Sequence, residues 1–90
     1  MSTEKTLQAK CIKNAKRAGW LAYKFASPAR RGVPDVMFIT NGAVVFVEFK
    51  HPNGKGRLSE LQKVEIDRMI AHGASVYVID SEERFNELFI

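Results

Sequence analysis

Residues 34–50 read Pro34-Asp35-Val36-Met37-Phe38-Ile39-Thr40-Asn41-Gly42-Ala43-Val44-Val45-Phe46-Val47-Glu48-Phe49-Lys50. Two runs of β-branched and aromatic residues flank Asn41-Gly42. Such a dipeptide between apolar runs is the strongest short signal for a hairpin, because both residues tolerate positive φ. A two-residue turn pairs Thr40 with Ala43 and Ile39 with Val44, and the pairing continues outward until Asp35 faces Glu48. Their Cβ atoms then lie about 4.5–5.5 Å apart on one face of the sheet. Lys50, two residues beyond Glu48, points to the same face.

Like charges directly opposite destabilise a sheet, and partial burial raises the cost. A proton shared between the acids offsets the repulsion, and Lys50 helps. A divalent cation does so best, since Mg²⁺ and Mn²⁺ prefer oxygen ligands, and Mg²⁺ is typically held by one or two carboxylates with water and phosphate. A metal so held activates water for phosphodiester hydrolysis. The alternative is that both acids lie in water at the open end of the hairpin, as ordinary solvated residues beside Lys50.

The rest of the chain gives this hairpin its frame. Ninety residues make one domain, 1–90, with a modest core, since a chain of this size buries only about 60–65% of its unfolded surface. The N-terminus, MSTEKTLQAK, lacks the apolar segment of a signal peptide. No run reaches the roughly 18 apolar residues of a membrane span. Cys11 is the sole cysteine, which excludes an internal disulfide and fits a reducing, cytoplasmic setting. It reads as a buried helical residue and not as a reactive thiol. The formal net charge of +4 permits a polyanionic partner.

Before the hairpin, residues 3–18 read as a helix with the apolar stripe Leu7, Cys11, Ala15 and Ala18, lysines on the other side, a Thr3 or Ser2 cap and a stop at Gly19. Glu4 projects into the apolar stripe. Residues 20–25 read as a strand, which assigns Trp20 and Tyr23 to the core. After the hairpin, 59–72 reads as a second helix, with Ser59 and Gln62 at capping-box spacing and a stripe of Leu58, Leu61, Ile66 and Met69. Residues 75–79 read as a fourth strand, and 82–89 as a last helix, capped by Ser81, whose Phe85 and Phe89 cover the sheet. The order is α-β-β-β-α-β-α. The link through the second helix is a crossover, which implies a parallel strand pair. Both faces of the hairpin are apolar, so the expected fold is an α/β, mixed four-stranded sheet with helices on both faces.

Pro34-Asp35, a hairpin, and then Glu48-Phe49-Lys50 resemble the PD-(D/E)XK nuclease signature, and the element order is similar to that family's core. The form GVPD…VEFK, an early Glu on the first helix and a Gln opening the second resemble its virus-type replication and repair branch, the VRR-NUC domain, over nearly the whole chain. The resemblance implies a Mg²⁺- or Mn²⁺-dependent DNA endonuclease. It implies metal ligation by Asp35, Glu48 and the Phe49 carbonyl, Lys50 as the catalytic lysine, Glu4 as an additional ligand, and Gln62 near the scissile phosphate. Stand-alone members, found in viruses and bacteria, look like dimeric resolvases of four-way junctions, so a homodimer acting on branched DNA is expected.

Two loops, 26–34 and 51–57, join strand ends at the open end of the hairpin. Arg30, Arg31, Lys55 and Arg57 are therefore expected to contact DNA phosphates, and Gly54 and Gly56 to let the second loop approach the backbone closely. The competing reading is a non-catalytic nucleic-acid-binding module with structural acids.

Overall fold

The structure, a computed structural model, describes residues 3–25, 27 and 30–90. Helix α1 (Glu4–Arg17) starts where the Thr3 hydroxyl accepts the Thr6 N–H at 3.0 Å. It buries Leu7, Cys11 and Ala15, one residue per turn; Ala18 ends the helix and is exposed. The strands are β1 (Leu21–Lys24), β2 (Val36–Thr40), β3 (Ala43–Phe49) and β4 (Ser75–Ile79), in the spatial order β1-β2-β3-β4. The first two pairings are antiparallel and β3–β4 is parallel, as the crossover through α2 (Glu60–Ala71) requires. Helix α3 (Glu82–Phe89) follows, with the Ser81 hydroxyl accepting the Arg84 N–H.

The hairpin register is the one the turn dictates: Thr40 opposite Ala43, continuing to Val36 opposite Val47. Gly42 has φ of +74°, while no non-glycine among the described residues has positive φ. The turn therefore needs the left-handed region only at its second central position, not at both Asn41 and Gly42.

One sheet face holds Val36, Phe38, Val45, Val47 and Phe49, packed with Ile79 against Leu7, Cys11, Ala15 and Phe85. Phe85 is fully buried, and its ring centroid lies 5.3 Å from that of Phe38. The Cys11 thiol is pushed up to about 12, by burial first and then by the charge of Glu82, which leaves it protonated and inert. Asn14 on α1 donates to Glu82 on α3 at 2.8 Å and ties the two covering helices together.

The opposite face is less covered than the apolar pattern suggests. Helix α2 lies there over β4 and buries only Glu65 and Ile66. Leu61, expected in its buried stripe, is 55% exposed. Beyond α2's reach, Leu21, Tyr23 and Val44 are about half exposed. Tyr23 is thus not a core residue: β1 is the edge strand farthest from β4, and α2, which covers β4, does not reach over it. Trp20 precedes the strand and packs edge-on against Phe89, its indole N–H donating to the Phe89 carbonyl at 3.1 Å.

Candidate active site

Strand alternation turns Glu48 away from the α1–α3 core, toward the face carrying α2. Its side chain is nevertheless 2% exposed. Asp35 sits one residue before β2, where the ladder ends. Its carbonyl accepts the Phe25 N–H at 2.7 Å, and its Oδ2 accepts the Phe49 N–H at 3.0 Å. The carboxylate thus takes over the ladder position the strand has vacated, which holds it beside Glu48. Glu4 completes the group: one carboxylate oxygen from each of Glu4, Asp35 and Glu48 lies within 4.8 Å of the others.

For Glu4 to join the acids from the apolar stripe of its helix, that helix would have to pack on their face of the sheet, and it does not. Helix α1 packs on the face opposite Glu48, and Glu4, in its first turn, reaches the acids past the ends of the strands. A hollow of about 300 Å³ opens there, lined by Glu4, Lys5, Gln8 and Asp35. Lys5 and Gln8 were not foreseen in the site. Gln8 stands one helical turn after Glu4, and that spacing is the signal that would have found it.

Lys50 and Gln62 close the other side. The Gln62 amide nitrogen donates to Glu48 Oε2 at 2.9 Å, and its Oε1 accepts from Lys50 Nζ at 3.1 Å. The same Oε1 accepts the Ser59 N–H at 2.9 Å, while the Ser59 hydroxyl accepts the Gln62 N–H. Gln62 is therefore both the capping residue of α2 and the clamp on Glu48 and Lys50. Lys50 Nζ also lies 3.5 Å from Glu48 Oε2.

Three acids at this separation face the part-buried Lys50 ammonium, with the exposed Lys5 at the rim of the hollow. At an effective dielectric of about 20, two unit charges 4.8 Å apart repel by about 3 kcal/mol. The consequence falls on Glu48, whose carboxyl is pushed up from the ordinary 4.5 to about 7. Burial is the largest cause, followed by the Asp35 charge; Lys50 pulls the other way, and Glu4 adds a smaller upward push. Glu48 Oε1 is buried without a hydrogen-bond partner among the described residues. A buried carboxylate with one unpartnered oxygen, grouped with two more carboxylates, is a donor set suited to a hard divalent cation. With all three acids ionised, Lys50 leaves an excess of two negative charges, which such an ion cancels. The Phe49 carbonyl belongs to the same strand end, while its side chain is fully buried on the other face.

The basic residues of the two loops are placed unequally. Arg30 Nε pairs with Glu65 Oε2 at 2.8 Å, an acid the sequence did not single out. Arg31 and Lys55 are exposed. The Arg57 guanidinium donates to the carbonyls of Gly54 and Gly56, bracing its own loop. Gly56 does not serve as open space for a ligand: a Cβ there would lie 3.1 Å from the His51 nitrogen and 3.2 Å from Lys50 Cβ, so the loop folds back onto the lysine. His51 accepts the Asn53 N–H through Nδ1, a turn contact, and His72 Nδ1 bonds the Arg68 carbonyl at the end of α2.

Comparison with known proteins gives a consistent picture. The model of the VRR-NUC domain family matches residues 2–83. A curated relative from Acyrthosiphon pisum secondary endosymbiont phage 1, "Putative nuclease p44", is 38% identical over 81 residues, covering 89% of this chain and 85% of its own. A solved structure titled "VRR_NUC domain" superposes with a TM-score of 0.87 at 25% identity, over 98% of this chain and 95% of that one.

Proposed function

The chain belongs to the VRR-NUC domain family and is a nuclease, and on that premise we propose that it is a metal-dependent DNA endonuclease acting on branched DNA such as four-way junctions. The observation that carries the reading is the buried, unpartnered oxygen of Glu48 within a cluster of three carboxylates. Structural acids would have no reason to leave it unsatisfied.

Glu4, Asp35 and Glu48, with the Phe49 carbonyl, would hold Mg²⁺ or Mn²⁺. When bound, such an ion supplies Lewis-acid polarisation of a phosphate oxygen and a water acidic enough to act near neutral pH. The chain's own residues do the rest. Gln62 fixes the Glu48 carboxylate through Oε2 and leaves Oε1 without a protein partner among the described residues. Lys50 has three N–H donors. Its contacts with Gln62 and Glu48 occupy two directions and leave one for the nucleophilic water or a phosphate oxygen, where its charge offsets that developing on phosphorus. Arg30, Arg31, Lys55 and Arg57 would contact backbone phosphates without reading sequence.

Each chain carries one such centre, and resolving a four-way junction takes two cuts. A symmetric homodimer is therefore the simplest assembly, and the half-exposed Leu21, Tyr23 and Val44 on one sheet face support an additional apolar contact. The test is incubation with duplex, flap and four-way-junction DNA, with and without Mn²⁺. Metal-dependent, symmetric cutting of the junction is expected. Retarded migration of DNA without cutting under any metal would favour the binding module with structural acids instead.

A further inference from the structure

Residues 30–33, just before Pro34, do not stand free. Arg30 is held by Glu65 on α2, and Gly32, at φ +86°, lies so close to α2 that a Cβ would sit 2.6 Å from the Leu61 carbonyl oxygen. Between loop and helix lies a hollow of about 310 Å³ lined by Arg30, Arg31, Leu61, Val64, Glu65 and Arg68. Three guanidinium groups meet one carboxylate there, and that carboxylate is already engaged by Arg30 Nε. Among the described residues the Arg30 Nη groups take no protein acceptor, and the side chain is 50% exposed. Leu61 and Val64 are 55% and 54% exposed in the midst of this charge. Leu61 directly precedes Gln62, the clamp on Glu48, so the hollow adjoins the catalytic centre.

We propose that this hollow is a second DNA-contact site, taking the backbone of the strand that flanks the cut: phosphates on the Arg31 and Arg68 guanidiniums and the free edge of Arg30, deoxyribose or a splayed base on Leu61 and Val64. The proposal rests on DNA being the substrate. The excess of positive charge selects a polyanion over the apolar surface of a second copy, and two isolated aliphatic side chains suit the apolar faces of a nucleotide. Leu61 to Arg68 spans about 10 Å of helix, room for about three nucleotides at about 3.4 Å each. Glu65, by fixing Nε, presents the remaining fork of Arg30 outward.

The experiment measures affinity for labelled duplex and four-way-junction DNA in EDTA, so that no cutting intervenes, across a salt series. Arg68 is exposed, so Arg68→Ala is expected to fold, which circular dichroism checks. It is expected to weaken binding about five- to tenfold and to make the salt dependence shallower by about one unit of log–log slope, the signature of one lost phosphate contact. The double variant Leu61→Ser/Val64→Ser is expected to weaken binding at unchanged slope. Unaltered affinity and slope in Arg68→Ala overturns the proposal. So does sedimentation in which the double variant turns a dimeric wild type monomeric without DNA present, since the hollow is then a contact between copies. If the wild type cuts nothing with Mn²⁺ yet Arg68→Ala shows the shallower slope, the contact site stands and the nuclease reading falls. A wild type that binds no DNA sinks both.

Discussion

Replacing Glu48 by Gln in the metal-free protein isolates the cost of the acidic cluster. The amide oxygen still accepts from Gln62, so shape and that hydrogen bond survive, while the charge does not. Folding raises the Glu48 carboxyl from 4.5 to about 7. Between those values the folded protein keeps a proton that the unfolded chain has released. Metal-free stability is therefore fully present below about pH 4.5, falls as the pH rises, and flattens above about pH 7. At about 1.4 kcal/mol per tenfold step, the loss is on the order of 3 kcal/mol, most of it between pH 5 and pH 8. Glu48→Gln lacks this loss. Urea unfolding in EDTA at both pH values should show the variant gaining on the order of 2–3 kcal/mol on the wild type from pH 5 to pH 8, or roughly 10–20 °C in Tm for a domain this small. Excess Mn²⁺ at pH 8 should then close the gap for the wild type alone, by about 2.7 kcal/mol at a hundredfold excess over Kd. A wild type–variant gap that does not change with pH would refute the reasoning, because burial and repulsion by Asp35 would then impose no cost.

Asp35→Ala and Lys50→Ala should each lower metal-dependent cleavage by at least about 10²-fold while DNA affinity in EDTA stays within about threefold, measured by gel shift beside product formation. Gln62→Leu, which leaves Glu48 Oε2 without its amide donor, should lower cleavage or metal affinity about 10–100-fold, read by titration with Mn²⁺. Gly32→Ala meets the Leu61 carbonyl at a φ that disfavours any side chain, and should cost about 2 kcal/mol or more in urea unfolding. Phe85→Ala empties the centre of the main core and should cost about 3–5 kcal/mol in the same assay.

The hairpin was readable because two constraints are local: a two-residue turn sets the register, and the period of two sets the face. Asp35 and Glu48 followed from these alone. What the sequence left open was tertiary. A helical wheel places Glu4 relative to Leu7 and Cys11, but not on which face of the sheet that stripe packs. The helix lies on the far face, and Glu4 meets the other acids only because it occupies the first turn, at the strand ends. The weak stripe of α2 has a physical cause: Gln62 and Glu65 occupy inward positions because they hold Lys50 and Glu48 on one side and Arg30 on the other. These polar contacts displaced apolar residues, and Leu61 went to the surface. Gly56 was misread for a related reason, since the close approach it permits is to Lys50 and not to an external ligand.

The central claim is that Glu4, Asp35 and Glu48 form one cation site. Anomalous diffraction from crystals soaked in Mn²⁺ tests it most directly. A peak is expected between the Asp35 and Glu48 carboxylates, about 2 Å from a Glu48 carboxylate oxygen, and is lost in Glu48→Gln crystals. Ordered carboxylates with no peak between them at saturating Mn²⁺, or a peak that persists in the Gln variant, would contradict it.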